Sequence, residues 1–179
     1  TPIEDALPVS MDIEQQELLQ KGALVIILHT CEFADGNTWG KRITNQAIRV
    51  LSGYDEVGVL LFDKGQDAEQ WLFRLTPAAN FPRLVTLVNR ARIGDMPTFA
   101  TTMEMGLAGL AQCDATIRRM VIISDGDPST PTDHLLEKFR QKHITVSTVT
   151  VSPHGESDRT SMKRIADATG GTAYTPDNP

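Results

Sequence analysis

Three short stretches of this 179-residue chain gather side chains that can bind ions or move protons: "LHTCEF" around His29 and Cys31, "GDMPTF" from Gly94 to Phe99, and "SDGD" from Ser124 to Asp127. An imidazole, a thiolate and a carboxylate from His29, Cys31 and Asp125 form a ligand set suited to Zn²⁺ or another divalent transition metal. The same residues have a plainer use, as a buried hydrogen-bonded histidine, a small apolar cysteine and a loop carboxylate that caps backbone amides. Cys31 beside His29 also invites a thiol nucleophile, because an imidazole lowers a thiol pKa and takes its proton. Residues at i and i+2 of a strand end need not touch, however, and Asn37 stands where a Cys-x5-Arg phosphate loop needs arginine. The spacing of Asp125 and Asp127 suits a carboxylate nucleophile with an acid/base two residues on. Little chain follows to supply a partner lysine and a second acidic motif, and Asp127-Pro128 reads as a turn. A small hydrolase using Cys31 or Asp125 and a metal site at His29, Cys31 and Asp125 both stay open as alternatives to simple binding.

The elements that must position these residues are legible as alternating apolar runs and amphipathic stretches. Ala23 to His29 and Val57 to Phe62 are nearly continuous apolar runs, as expected of strands buried on both faces of a parallel sheet. Glu69 to Leu75 alternates more and follows a short gap, which predicts an antiparallel edge partner. Met120 to Ser124, Ile144 to Val151 and Thr172 to Tyr174 supply three further strands. Between them, one helix places Trp39, Ile43, Ala47 and Val50 on one face. Another, capped by Asn80, carries Leu84, Leu87, Val88 and Ala91. A third runs from about Thr98 to Ala111 with Met103, Leu107 and Leu110 inward. Thr130 and Pro131 signal the start of a fourth, and Met162, Ile165, Ala166 and Thr169 mark a fifth before Gly170-Gly171. Residues 1–22 carry Pro2 and Pro8 without clean periodicity and read as a lead-in, leaving 23–179 as the domain. Strands alternating with helices predict an α/β, three-layer, doubly wound Rossmann-like fold, with a mostly parallel central sheet and one antiparallel edge strand. The ligand crevice of such a sheet lies beyond the carboxyl ends of its central strands. The loops after His29, Gly94 and Ser124 should therefore carry any chemistry.

Composition narrows the classes of partner. With 17 basic and 23 acidic residues the chain has a net charge of −6 and no clustered basic face, so nucleic acid is not an expected partner. The apolar runs are far shorter than the roughly 20 residues of a membrane-spanning helix. No phosphate-cradling glycine motif follows any strand. Cys113 ends a helix that starts near Thr98, roughly 22 Å away, so Cys31 and Cys113 fall at opposite ends of the sheet and are expected as free thiols. The chain starts without Met and ends in "TPDNP", which reads as a fragment of a longer protein.

From Ala23 to Tyr174 the order of elements resembles the von Willebrand factor A family. "DEVGVLLFD" is similar to the family's second strand, "MVIISDGDP" to its fourth, and "ITVSTVTVSPHGESDRTSMKRIADATGGTAY" to its closing strand, helix and Ala-x-x-x-Gly-Gly ending. Within the family it looks most like the bacterial, membrane-anchored aerotolerance subgroup. The resemblance implies a metal-ion-dependent adhesion site, with an Asp and two Ser from the first loop, a Thr from the second and an Asp from the third. Here His29, Cys31 and Phe33 stand at the first three positions, Pro97 stands at the Thr position with Thr98 one residue beyond, and only Asp125 matches. Mg²⁺ prefers oxygen ligands in a near-octahedral shell, so that substitution pattern should abolish ordinary Mg²⁺ affinity.

These readings converge on a non-catalytic module that binds another protein or a ligand. Its binding loops comprise His29, Cys31, Glu32, Phe33, Asp95, Pro97, Thr98, Phe99, Asp125 and Asp127, with Phe33, Met96 and Phe99 as a possible apolar contact surface. No cofactor is expected apart from a divalent transition metal in the alternative reading. The segment itself should not span a membrane, while the full-length protein is expected to be tethered to one.

Overall fold

The computed structural model describes residues 20–30, 34–92 and 94–176. Six strands form one sheet in the order β3-β2-β1-β4-β5-β6: β1 Gly22–Leu28, β2 Glu56–Asp63, β3 Ala68–Pro77, β4 Ile117–Ser124, β5 Thr145–Thr150 and β6 Ala173–Tyr174. Every neighbouring pair is parallel except β2 with β3, which run antiparallel at one edge. Five helices cover the sheet: α1 Ala34–Arg49, α2 Phe81–Arg90, α3 Phe99–Gln112, α4 Asp133–Gln141 and α5 Glu156–Thr169. The α/β architecture with one antiparallel edge strand is therefore as the sequence predicts.

Because strand side chains alternate between faces, β1 feeds two cores at once. Val25 and Ile27 join Phe99, Met103, Phe139 and Ile165 from α3, α4 and α5. Ile26 and Leu28 join Ile48, Leu84 and Val88 from α1 and α2. Strand order reverses direction at β1, since β2 follows it on one side while β4 pairs with it on the other. The carboxyl ends of β1 and β4 thus flank the crevice in which doubly wound sheets bind ligands.

Three local expectations are corrected. Val50 is 81% exposed, because α1 ends at Arg49 and Val50 turns outward; Gly40, Thr44 and Ile48 form the fully buried row instead. Helix α4 begins at Asp133, capped by Thr132 accepting from the Leu135 N–H, and not at Thr130-Pro131. A residue before proline avoids the helical region, and the segment from Ser129 is first used to bridge to Thr98. Asn80 precedes α2 but makes no side-chain cap bond. The lead-in expected over 1–22 falls almost wholly outside the described residues, as do Cys31, Glu32 and Phe33, so of the two expected free thiols only Cys113 can be followed, and it is half-buried and free.

Candidate functional site

The backbone of β1 ends by pairing the His29 N–H with the Ile123 carbonyl of β4, 3.0 Å apart, which sets the imidazole between the two strand ends. His29 is 2% exposed. Its Nδ1 lies 2.9 Å from Ser124 Oγ and 3.2 Å from Asp125 Oδ1, and its Nε2 lies 3.3 Å from the Met96 N–H donor and 3.5 Å from Asp95 Oδ1. Asp127 Oδ1 is 3.9 Å from Nδ1. Burial works against a charged ring, but the hydrogen bond and charge of Asp125, with Asp127 and Asp95 behind it, outweigh that cost and raise the His29 pKa.

The second loop is anchored beside it. Thr30 donates its hydroxyl to the Arg92 carbonyl at 3.0 Å and accepts from the Gly94 N–H at 2.9 Å. A side chain at Gly94 would put its Cβ 2.2 Å from the Phe62 carbonyl oxygen, so only glycine lets this loop cross the end of β2. Asp95 emerges 59% exposed next to His29. Pro97 is exposed and its carbonyl accepts from Ser129. The Thr98 hydroxyl is occupied as the cap of α3, 3.2 Å from the Ala100 N–H. Phe99 and Met96 are 0% and 1% exposed. They belong to the core and do not form the apolar contact surface expected of them, because the first turn of α3 packs directly onto the sheet.

The third loop turns sharply. Ser124 Oγ donates to Asp125 Oδ1 at 3.2 Å and accepts from the Gly126 N–H at 3.0 Å. Gly126 has φ +101°, and a Cβ there would fall 2.8 Å from the Asp158 Cβ, so this turn both needs glycine and packs against the start of α5. The turn sends two carboxylates, Asp125 and Asp127, toward the same crevice. Burial, then the hydrogen bond and like charge of Asp125, push the Asp127 carboxyl up to about 6 despite the opposing charge of His29.

A fourth loop, between β5 and α5, reaches the same place. The Asp158 carboxylate accepts from the His154 and Gly155 N–H groups at 2.9 and 3.1 Å and so fixes the entry to α5. Two overlapping groups of potential ligands result, His29 with Asp95 and Asp127, and Asp125 with Asp127 and His154, each with ligand atoms within 4.8 Å of one another. Of the sequence-predicted metal candidates, His29 and Asp125 therefore meet, and Asp95 and Asp127 join them. His154 was missed, although β5 lies parallel to β4 and its outgoing loop must emerge at the same end.

No family model matches the chain, and no curated protein does. Solved structures do. A von Willebrand factor type A protein from Catenulispora acidiphila aligns at 16% identity with a TM-score of 0.73, over 89% of this chain and 39% of that one. An aerotolerance-related membrane protein from Bacteroides fragilis aligns at 12% identity and a TM-score of 0.64, over 89% of this chain and 92% of that one. The SpRpn10 VWA domain aligns at 10% identity and a TM-score of 0.65, over 88% of both.

Proposed function

We propose that this chain, which has the von Willebrand factor A fold, is a non-catalytic module that binds another protein or protein domain at the carboxyl end of its sheet, within a larger bacterial, membrane-associated protein. The observation that carries the reading is His29. It stands where the resemblance implies the leading carboxylate of a Mg²⁺ site, and its buried imidazole sits 3.2 Å from Asp125, the one acidic residue retained from that pattern. Mg²⁺ coordination favours a near-octahedral oxygen shell. With a buried nitrogen base at the first position and the Thr98 hydroxyl turned to capping α3, the residues present do not fit that ion. What faces outward is a rim of carboxylates, Asp95 and Asp127, 59% and 42% exposed, with the buried His29 imidazole 3.5 Å and 3.9 Å behind them.

The same burial weighs against a hydrolase built on Asp125. Its carboxylate is 2% exposed and engaged by Ser124 and His29, whereas a nucleophile must reach substrate. No helix among the described residues is long and apolar enough to cross a membrane, so a tether would lie elsewhere in the protein. The similarity to an aerotolerance-related membrane protein supports such a tether.

The test is affinity co-purification from the source organism with charge-reversed rims. A partner retained by the natural chain and by Tyr54→Ser, at the opposite end of the sheet, but lost with Asp95→Lys and Asp127→Lys supports the reading. A partner indifferent to the rim variants places the binding face elsewhere. Hydrolysis of ester or phosphate substrates that disappears in Asp125→Asn overturns the non-catalytic assignment.

A further inference from the structure

We propose that the acidic lead-in, residues 1–19, docks across the half-open face of β4, β5 and β6 and covers the groove at the amino ends of β4 and β5. The groove lies away from the carboxylate rim, so the inference is independent of the function proposed above.

The groove arises because the sheet is covered unequally. α3, α4 and α5 pack on one face, whereas the other face receives α1 and α2. Strand side chains alternate between faces, and β5 records the difference: Val146, Thr148 and Thr150 are buried, while Thr145, Ser147 and Val149 are only half-buried. Beside them in register stand Arg119 of β4, opposite Thr145, and Tyr174 of β6, opposite Val149. The resulting groove has a volume of about 440 Å³, and its walls include Thr116, Ile117, Arg118, Arg119, His143 and Tyr174. No carboxylate among the described residues lines it. Arg118 donates to the Lys142 carbonyl at 3.0 Å, yet its Nε is buried without a partner. Neither Arg118 nor Arg119 is ion-paired among the described residues.

Attachment, reach and charge select the lead-in as the occupant. It joins the domain at the lip of the groove, where the Lys21 carbonyl accepts from the N–H groups of Thr116 and Ile117 at 3.0 and 3.3 Å. β4 separates β1 from β5, so the distance to cross is about 10 Å at roughly 4.8 Å per strand. Residues 1–19 span about 28 Å even at the helical rise of roughly 1.5 Å per residue. Their charge is complementary: they carry Glu4, Asp5, Asp12, Glu14 and Glu17 and no lysine, arginine or histidine. Exposed ion pairs hold little by themselves. Ile117 and Tyr174, 38% and 56% exposed, add apolar surface for Met11, Ile13 and Leu18 to cover.

The experiment puts a nitroxide on the lead-in of the full chain, at Gln16→Cys with Cys31→Ser and Cys113→Ser, and compares amide NMR spectra with the label oxidised and reduced. Amides of Arg119, of Thr145 to Val149 and of Thr172 to Tyr174 should lose most of their intensity when the label is oxidised, while those of Glu69 to Trp71 on the far edge strand keep theirs. Arg119→Glu should restore the lost intensity, with the dispersion of the remaining signals showing that the variant is folded. A mixture of isotope-labelled chain without nitroxide and unlabelled chain with it should show no loss. Intensity retained throughout, loss on another surface, or loss unchanged by Arg119→Glu overturns the proposal. Loss in the mixed sample overturns it in favour of a second copy of the chain on this face.

Discussion

An imidazole buried at the end of β1 lies within 3.9 Å of three carboxylates, those of Asp95, Asp125 and Asp127. His29 is the buried partner of Asp125, 3.2 Å away, and both are 2% exposed. Removing one partner of a buried pair costs about 3–5 kcal/mol, so His29→Ala should lower the melting temperature by roughly 10 °C in scanning calorimetry. The pH dependence follows from the raised pKa of His29. Its charged-pair contribution is complete below the unfolded value of 6.5 and fades as pH rises through the higher folded value, so the difference between natural chain and variant should shrink toward alkaline pH. Asp127 has the opposite sense. Its carboxyl is raised from 3.8 to about 6, so the folded state holds its proton more tightly than the unfolded chain, and a penalty grows as pH rises from 3.8 to about 6 and stays constant above that. Asp127→Asn should therefore stabilise the metal-free chain at pH 7.5, by at most about 1 kcal/mol after solvent screening of this exposed group, and leave it unchanged near pH 3.5. His29 and Asp125 were legible as site residues because each closes an apolar strand. His154 was not, since "SPHGESD" reads as an ordinary polar loop until the left-handed Gly126 is seen packed on Asp158.

At the scale of elements, the apolar runs of β1, β2 and β4 and the inward rows of α3 and α5 announced themselves, because burial on both faces leaves no room for polar residues. Helix ends were less legible. Thr130 and Thr132 are both competent caps in sequence, and the choice fell to Thr132 through the bridge of Ser129 to Thr98, a tertiary contact. Turns that join elements make two predictions. Gly126→Ala forces a Cβ into Asp158 at a left-handed backbone position and should cost about 1–3 kcal/mol, read by chemical denaturation. Asp55 ties the start of β1 to the turn entering β2, accepting from the Gly22 and Ser52 N–H groups at 2.8 Å each. Burial opposes its charge, but those two bonds prevail and lower its pKa below 3.8. Its contribution is present above pH 3.8 and lost as pH falls through the folded value. Asp55→Ala should thus cost about 1–3 kcal/mol at pH 7 and progressively less as pH falls through the folded value, as followed by urea titration across that range.

At the scale of the whole molecule, one sheet serves two cores, and that decides how the chain comes apart. Adjacent residues of β1 point to opposite faces: Ile26 packs with α1 and α2, and Ile27 with α3, α4 and α5. Neither core can be lost without stripping one face of β1, so the two should melt together even though chains above about 150 residues often unfold through intermediates. The tryptophans are placed to report this. Trp39 packs against the α1 and α2 core with Arg42 4.4 Å from its ring centre, while Trp71 packs against the other core from the edge strand β3. Variants retaining only Trp39 or only Trp71, the other replaced by Phe, should give superimposable fluorescence transitions in urea. Adding Ile26→Ala or Ile27→Ala should shift both curves to lower urea by about 2–5 kcal/mol of stability, whichever face is hit. A Trp71 transition that stayed in place while Ile26→Ala moved that of Trp39 would mean that the two faces unfold independently, and that the crevice between β1 and β4 could open without global unfolding.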